Sequence, residues 1–357
     1  MRRVGILLPA RGRWKGYGIE ARRGAELCLE DQSGSQSLRL EPVFREEAEG
    51  ADPAAAIAEL ADRENAVAVV GPLLSASVER ALPAAARRSL ALISPTASGE
   101  RLGEGSPVFF RTCMTMDAFA SSLAGLAVRR AAGPAVAILT PAERYGRSFA
   151  AAFRRALEER GGRVLLVREY DPSLKEVSAW VAALKKELRP GLSRGPGGWA
   201  VDALFFAGTA EQAGMILPRL ALQGMDPREL TVLGGSALNV PGFPRLAGGY
   251  GDGTIIADGF FSAGSLPAAQ SFARRYRARH GVDPGAAAAQ GCAAAEALAA
   301  ALRGGAASPG ETLAALGGLG EIPSVIGRIR LFPGGRIERR PFFLTVKGGA
   351  LVELEER

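Results

Sequence analysis

The chain has 357 residues, enough for two domains of ordinary size, and 47% of them are apolar. Its net charge of +7 comes from basic residues dispersed along the chain. Because no nucleic-acid-binding motif accompanies this charge, we expect no nucleic-acid partner. No stretch is long and apolar enough to cross a membrane, and the apolar run at the N-terminus is too short for a secretory signal.

Strands and helices alternate through the first third of the chain, which is typical of a parallel sheet flanked by helices. Short apolar runs predict strands at residues 3–8, 38–44, 67–70, 90–93 and 108–112. Helical patterns lie between them at residues 18–30, 53–63 and about 75–88. This order predicts a first α/β lobe.

The same order of elements then repeats. The sequence predicts strands at residues 135–139, 163–168, 203–206 and 231–233, with helices at residues 146–160, 177–188 and 212–223. The Gly- and Pro-rich residues 190–198 are predicted to be a flexible surface insertion. Two such halves in succession predict two lobes with a cleft between them.

The tail departs from this repeat. Residues 253–261 are predicted to be extended, and helices are predicted at residues 268–279 and 286–302. Residues 328–332 and 341–346 are predicted to form a hairpin whose turn begins at Pro333. These extra elements suggest that the chain returns to the first lobe and crosses once more near its end.

Two clusters of small hydroxyl residues follow neighbouring predicted strands. Ser75 and Ser77 follow strand 67–70 and open a helix, while Thr96 and Ser98 follow strand 90–93. The carboxyl ends of parallel strands meet at one edge of a sheet, where ligands bind. A helix N-terminus favours anions there, and hydroxyl groups donate hydrogen bonds. The pattern predicts a site for a small polar or anionic molecule, although these serines also suit helix capping and turns.

The cysteines and the histidine give no catalytic pattern. Cys28, Cys113 and Cys292 lack C-x-x-C spacing, so we expect neither a disulfide framework nor a thiolate metal site, with Cys28 and Cys292 buried as small apolar residues. His280, the only histidine, is predicted to be a cation at a helix C-terminus beside Gly281. No Walker motif, metal cluster or G-x-G-x-x-G follows the first strand, so we expect no catalytic residues, cofactor or metal, and an enzyme is the weakest hypothesis.

Several ordered segments of the chain resemble the type I periplasmic binding proteins, the group of branched-chain amino acid and amide receptors. They are LLPARGRWKGYGIEARRGAEL, VAVVGPLLSAS, ALISPTAS, FFRT, AERYGRSFAAAF, ALFFAGTAEQ, VLGGSALN, GCAAAEALAAAL and GRIRLFPGGRIER. Their order and spacing carry the resemblance over nearly the whole chain. The resemblance implies two α/β lobes, each a mostly parallel sheet flanked by helices, joined by three crossings and closing around a ligand in the cleft.

The resemblance also implies where the lobes divide. We expect residues 1–117 and 262–329 to form the N-terminal lobe, and residues 118–261 and 330–357 to form the C-terminal lobe. The three crossings are then expected near residues 115–118, 260–262 and 327–332.

In the first lobe, the resemblance places ligand contacts at four residues of the hydroxyl clusters: Ser75, Thr96, Ala97 and Ser98. Tyr17 resembles a family position that walls the site, where an aromatic ring can cover a ligand and donate its hydroxyl proton. Trp14 has the same chemistry, with surface packing as the alternative.

In the second lobe, the resemblance implies ligand contacts at Tyr145, Thr209 and Ser236. Tyr145 stands where the family has an aromatic residue that closes over the ligand, with interface packing as the alternative. Amino-acid receptors of this group carry an acid that pairs with the ligand's ammonium, and here that position is Ser236. Since an unpaired buried charge is costly, a standard α-amino acid is not expected unless another acid substitutes. The remaining candidates are Asp258, Glu143 and Glu211.

The resemblance implies an extracytoplasmic solute-binding receptor that serves an ABC importer and has its permease as a partner. The expected location is the periplasm or the cell surface, with an export signal that is missing from this sequence. An alternative rests on LAGGYGDGTIIADGFF and RIERRPFFLTVKGGAL, which are similar to segments of penicillin-binding protein activators. This second similarity implies a regulatory or scaffolding domain whose partner is a peptidoglycan synthase.

Overall fold

The computed structural model describes residues 1–32, 38–131, 133–188 and 199–355, so the predicted insertion at residues 190–198 lies outside the described residues. The chain forms two units. The first contains Met1–Thr115 and Gly259–Arg340, and the second contains Met116–Asp258 and Pro341–Arg357.

The first segment of the first unit forms a five-stranded, wholly parallel sheet in the order β2-β1-β3-β4-β5. Its strands are β1 (Arg2–Leu8), β2 (Leu40–Glu46), β3 (Ala66–Val70), β4 (Ala91–Ser94) and β5 (Phe109–Arg111). The helices between them are α1 (Lys15–Gln32), α2 (Pro53–Asp62) and α3 (Ser75–Ala86). All five residues of β3 are buried, as expected for a central strand covered on both faces.

The second unit repeats this strand order. Its strands are β6 (Ala135–Pro141), β7 (Arg163–Tyr170), β8 (Ala203–Phe206), β9 (Thr231–Gly234) and β10 (Ile255–Asp258). The helices are α4 (Met116–Arg130), α5 (Arg144–Glu158), α6 (Val177–Leu188), α7 (Ala210–Leu222) and α8 (Phe243–Ala247). The parallel order β7-β6-β8-β9-β10 corresponds strand for strand to that of the first sheet.

The chain then completes the first unit with helices and a small sheet. The helices are α9 (Pro267–His280), α10 (Ala286–Leu302) and α11 (Pro309–Gly317). Three short antiparallel strands follow, β11 (Ile322–Ser324), β12 (Gly327–Leu331) and β13 (Ile337–Glu338). The described core of this unit lies on both faces of its large sheet, with Val4, Ile6 and Val70 on one face and Leu7 and Val69 on the other.

The predicted C-terminal hairpin is wrong in its pairing, although its turn lies at Pro333–Gly335 as expected. β12 pairs with β13, not with residues 341–346. Those residues belong to β14 (Phe342–Lys347), which pairs antiparallel with β10 and with β15 (Ala350–Glu353) in the second sheet. Residues 330–340 therefore lie with the first unit, whereas the sequence placed them in the C-terminal lobe.

The expectation about Cys28 and Cys292 is also corrected. Both are buried in helices, as predicted, but they form a disulfide that joins α1 to α10. The helices approach closely through glycines: a Cβ at Gly24 would lie 1.9 Å from the Ala288 carbonyl oxygen, and one at Gly291 would lie 2.2 Å from that of Ala21. The two sulfurs meet because this glycine contact brings the helices together.

Candidate functional site

The predicted first-unit residues follow the carboxyl ends of different parallel strands. Tyr17 follows β1, Ser75 follows β3, and Thr96, Ala97 and Ser98 follow β4. Since all five strands run parallel, these ends lie at one edge of the sheet. We call this set the hydroxyl edge.

A glycine lets the chain leave β3 toward this edge. Gly71 has φ +115°, and a Cβ there would lie 2.1 Å from the Leu7 carbonyl oxygen. A side chain would therefore collide with β1, so only glycine fits. The turn that follows leads directly to Ser75, the first residue of α3.

Hydrogen bonds join the two predicted hydroxyl clusters. The Gly99 N–H donates to the Ser75 hydroxyl oxygen at 3.3 Å. The Thr96 hydroxyl donates to the Leu73 carbonyl oxygen at 2.8 Å. The structure thus brings the loop after β3 and the loop after β4 together, although the sequence shows them only as separate segments.

Ser94 completes the connection between the two loops. Its buried hydroxyl donates to the Pro72 carbonyl oxygen at 2.5 Å and accepts the Ala97 N–H at 3.1 Å. Ala97 is itself buried, and its N–H is used inside the loop. Ser94 was not among the predicted site residues, although it directly follows the predicted strand 90–93; the structure makes it the last residue of β4.

These bonds determine which protons the hydroxyl edge can offer. Thr96 uses its hydroxyl proton on the Leu73 carbonyl, so it offers a ligand only an acceptor. Ser75 accepts the Gly99 N–H, and among the described residues none takes its own proton. Ser98 is exposed. Among the serine and threonine residues of this edge, Ser75 and Ser98 are therefore the ones that can donate a hydroxyl proton to a ligand.

A buried carboxylate lies behind the loop after β3. Glu47, which follows β2, is 8% exposed and accepts the N–H groups of Leu73 at 2.6 Å and Leu74 at 3.3 Å. Burial raises the pKa of Glu47, and hydrogen bonds from Ser77 and from these two N–H groups offset part of the rise. Sequence reasoning missed this residue, whose only signal was an acid just beyond a strand.

A buried cation lies behind the loop after β4. Arg111, the last residue of β5, is 2% exposed. Its guanidinium donates to the carbonyl oxygens of Ala97, Gly99, Leu102 and Gly335. Sequence reasoning quoted the FFRT segment only for its resemblance and missed this role.

Tyr17 stands in the first turn of α1 with 57% of its surface exposed. Its ring lies 6.2 Å from that of Trp14, measured between centroids. Trp14 is partly buried against the core of the unit. Trp14 therefore packs inward, while Tyr17 keeps an exposed ring.

The second unit places its predicted residues at the carboxyl edge of its own sheet. Tyr145 lies in the first turn of α5, is 49% exposed and packs against Phe149 at 6.0 Å between ring centroids. Thr209 caps α7, since its hydroxyl accepts the Gln212 N–H. Ser236 is exposed and begins a short 3₁₀ helix after β9.

Of the three acids considered as substitutes, Asp258 is the one that is buried. It ends β10, is 6% exposed, and accepts a hydrogen bond from the Asn239 side-chain amide at 2.7 Å. Desolvation and then the negative charge of Asp258 raise the pKa of Tyr145, so the two side chains are neighbours. Glu143 and Glu211 are exposed at the starts of α5 and α7.

The remaining titratable candidates do not form a reactive group. Burial raises the pKa of the Cys113 thiol to about 11, so it is not a thiolate at neutral pH. His280 ends α9 as predicted, but burial and then the charges of Arg23 and Arg279 lower its pKa, so it is neutral at pH 7 rather than a cation.

Cys28, Cys292 and Glu296 have their potential ligand atoms within 4.8 Å of one another. The two sulfurs are bonded to each other, so they are not available as thiolate ligands. No other group of such residues with metal-ligand spacing occurs in the part of the chain that the structure describes.

Comparisons with known proteins give one consistent family. The family model described as "Periplasmic binding protein" matches residues 2–350. A Leu/Ile/Val-binding protein of Rhizobium johnstonii is 25% identical over 96% of this chain and 90% of its own length. Two other curated relatives are matched over 64% and 66% of their own lengths. The relatives are substrate-binding proteins, not enzymes.

Solved structures share the whole fold. The crystal structure of a putative branched-chain amino acid ABC transporter from Rhodospirillum rubrum matches this chain with a TM-score of 0.87 at 24% sequence identity. The match covers 99% of both chains. That of an ABC transporter solute-binding protein from Rhodopseudomonas palustris, in complex with 3,4-dihydroxybenzoic acid, has a TM-score of 0.72 at 20% identity. It covers 99% of this chain and 96% of that one.

Proposed function

Because the chain belongs to the type I periplasmic binding protein family, we propose that it is a solute-binding receptor for a small carboxylate-bearing ligand and serves an ABC importer. The ligand's carboxylate would bind at the hydroxyl edge of the first unit. Tyr17 in the first unit, and Tyr145, Thr209 and Ser236 in the second, would supply further contacts.

One observation carries this proposal. Ser75 and Ser98 offer hydroxyl protons at the carboxyl edge of a parallel sheet, next to the N-terminus of α3. The helix terminus contributes about 0.3–1 kcal/mol to binding an anion, and hydroxyl donors add directed hydrogen bonds. An anion with two acceptor oxygens suits this arrangement better than a cation does.

The second unit bears on the chemical class of the ligand. Ser236 cannot neutralise an ammonium group, which favours a carboxylate without one, such as an aromatic acid. Asp258 is a buried acid at the same sheet edge, one strand away from Ser236, and supports an amino acid instead. Among the relatives, names and complexes refer to both branched-chain amino acids and hydroxybenzoic acids. Both classes therefore belong in the test.

The Cys28–Cys292 disulfide supports a location outside the cytoplasm. Disulfides persist in oxidising compartments and are rare in the reducing cytosol. Among the described helices, none has both the length and the apolar composition needed to cross a bilayer.

A thermal-shift panel tests the proposed function. It contains L-leucine, L-isoleucine, benzoate, 4-hydroxybenzoate and 3,4-dihydroxybenzoate, each paired with the amide of its carboxyl group, which removes the carboxylate charge. A ligand that binds only the folded protein raises the free energy of unfolding, by about 2.7 kcal/mol at a concentration of about 100 times Kd. This stabilisation is measured as a rise in Tm. We expect at least one carboxylate to raise Tm while its amide does not.

Either of two results would contradict the proposal. An amide that raises Tm as much as its acid would show that the carboxylate is not the recognised group. A panel without any shift would remove these solutes as ligands and favour the alternative of a regulatory domain that contacts a peptidoglycan synthase.

A further inference from the structure

Arg111 is an unusual buried charge. It is 2% exposed, and no carboxylate lies within salt-bridge distance of it among the described residues. Its four hydrogen bonds all go to backbone carbonyl oxygens. Burying a charge costs free energy unless hydrogen bonds compensate it. The four carbonyl groups therefore stabilise the buried guanidinium, and the guanidinium in turn holds the segments that carry them. The exposed Glu100 acts on Arg111 only through space.

Three of the four bonds hold a single loop. The guanidinium donates to the carbonyls of Ala97 at 3.1 Å, Gly99 at 2.8 Å and Leu102 at 3.3 Å. The fourth bond, to Gly335, anchors the guanidinium to the turn before β13. A planar guanidinium can serve several acceptors at fixed angles, which a lysine ammonium cannot do as rigidly.

These bonds determine where the N–H groups of the loop point. The described residues have one cis peptide bond, Gly71–Pro72, so the Ala97–Ser98 peptide is trans. In a trans peptide the C=O and the following N–H point in opposite directions. Since the Ala97 carbonyl points to the buried guanidinium, the Ser98 N–H points away from it. Ser98 is also exposed, and among the described residues none accepts a hydrogen bond from its N–H or its hydroxyl.

We propose that Arg111 is the positioning residue of the hydroxyl edge: by holding the carbonyls of residues 97–102, it fixes the loop so that Ser98 presents its hydroxyl and its N–H to the carboxylate of a ligand. Fixed dipoles that need no reorganisation bind charge more strongly than mobile ones. That Arg111 fixes the loop does not depend on the identity of the ligand. Its role in binding a carboxylate rests on the proposed function.

The first arm of the test measures amide hydrogen exchange in the unliganded full chain. The reporters are the N–H groups of Ala97 and Gly99, which are bonded to the hydroxyls of Ser94 and Ser75. In Arg111→Gln we expect their exchange to accelerate by about tenfold or more, because hydrogen bonds to a charged group are lost. Arg111→Lys should give an intermediate rate, and it decides the matter if Arg111→Gln does not fold.

Arg88→Gln is the matched control. Arg88 is an arginine of the same unit that bonds Asp62 and the Ala84 carbonyl, away from the loop. Its variant should leave the exchange of Ala97 and Gly99 at the wild-type rate. Wild-type exchange in both Arg111 variants would overturn the proposal, and so would an equal acceleration in β3, since that would show a general loss of stability.

The second arm titrates benzoate and L-leucine into the same proteins. We expect the affinity of whichever probe binds the wild type to fall about tenfold or more in Arg111→Gln and less in Arg111→Lys. Unchanged affinity alongside faster loop exchange would overturn the role in ligand binding. If neither probe binds the wild type, L-leucine and benzoate are excluded as ligands, and the exchange arm alone decides the role of Arg111.

Discussion

At the scale of single residues, two buried charges of opposite sign support the two loops of the hydroxyl edge. Glu47 accepts the N–H groups of Leu73 and Leu74 in the loop after β3, and the Leu73 carbonyl accepts the Thr96 hydroxyl. The Arg111 guanidinium donates hydrogen bonds to carbonyl oxygens of the loop after β4. Each charge is compensated mainly by backbone dipoles of one loop, which fixes the orientation of that loop.

Glu47 gives a pH-dependent prediction. Its pKa is raised in the folded protein, so between the ordinary value near 4.5 and the raised value the folded state binds more protons than the unfolded state. Stability must then fall as pH rises through this window. We expect Glu47→Gln, which cannot ionise, to remove this contribution, so that the wild type loses stability relative to the variant as pH rises.

Urea unfolding of both proteins at several pH values from 4.5 to 7 measures this difference. Glu20→Gln is a useful comparison, because burial also raises the pKa of Glu20. The Glu20 carboxylate accepts the Ala288 N–H in the first turn of α10 and not an N–H group of the loop after β3. If the wild type instead gains stability relative to Glu47→Gln with rising pH, the carboxylate is not buried as described.

The sequence carries a signal for the hydroxyls of the proposed site but none for the residues that support them. Ser75, Thr96 and Ser98 are signalled by small polar residues directly after apolar strands. Glu47 and Arg111 give no such signal, because an acid or a base at a strand end is most often solvated. Their burial depends on loops that are distant in sequence, such as Gly335 for Arg111.

At the scale of elements, the contact between α1 and α10 shows what a pattern of apolar residues cannot predict. Both helices were predicted correctly, α10 with the bounds that the structure has. The partner of each cysteine was not predictable, because the two lie 264 residues apart and their pairing depends on the glycine contact between the helices.

The disulfide leads to a stability prediction. The double variant Cys28→Ser/Cys292→Ser should lower the free energy of unfolding by about 2–4 kcal/mol, since the cross-link no longer restricts the unfolded chain. Urea unfolding measures the loss, with Cys113→Ala as the control that keeps the disulfide. Thiol titration of the denatured, unreduced wild type should find only Cys113. Three free thiols, or a double variant as stable as the wild type, would contradict the pairing.

Two helices that the sequence analysis omitted did carry signals. α11 begins with a capping box, in which Ser308 bonds the Glu311 N–H and the Glu311 side chain bonds back. α4 has Asp117 in its first turn and Arg129 and Arg130 in its last turn, which suits the helix dipole. The pairing of the short strands β11, β12 and β13 had no comparable signal, because short strands are defined by their partners.

At the scale of the whole molecule, one strand order is used in both units. In each, the second strand lies at the edge beside the first, and the others follow on the other side. The repeat was visible in the sequence as a second alternation of strands and helices. The return of the chain was also visible. The resemblance placed the last crossing near residues 327–332 and so put residues 330–340 in the other lobe, whereas the structure places them with the first unit.

The most direct test of the proposed site is a calorimetric titration of the wild type and of Ser98→Phe. The titrant is benzoate or L-leucine, whichever of the two gives the larger thermal shift. Because Ser98 is exposed, a phenyl ring at this position should leave the fold intact. The ring should occupy the space at the hydroxyl edge where the carboxylate is proposed to bind. Ser178→Phe, at an exposed position on α6, is the matched control. We predict that Ser98→Phe loses about tenfold or more in affinity while the control binds normally; wild-type affinity in Ser98→Phe would contradict the account.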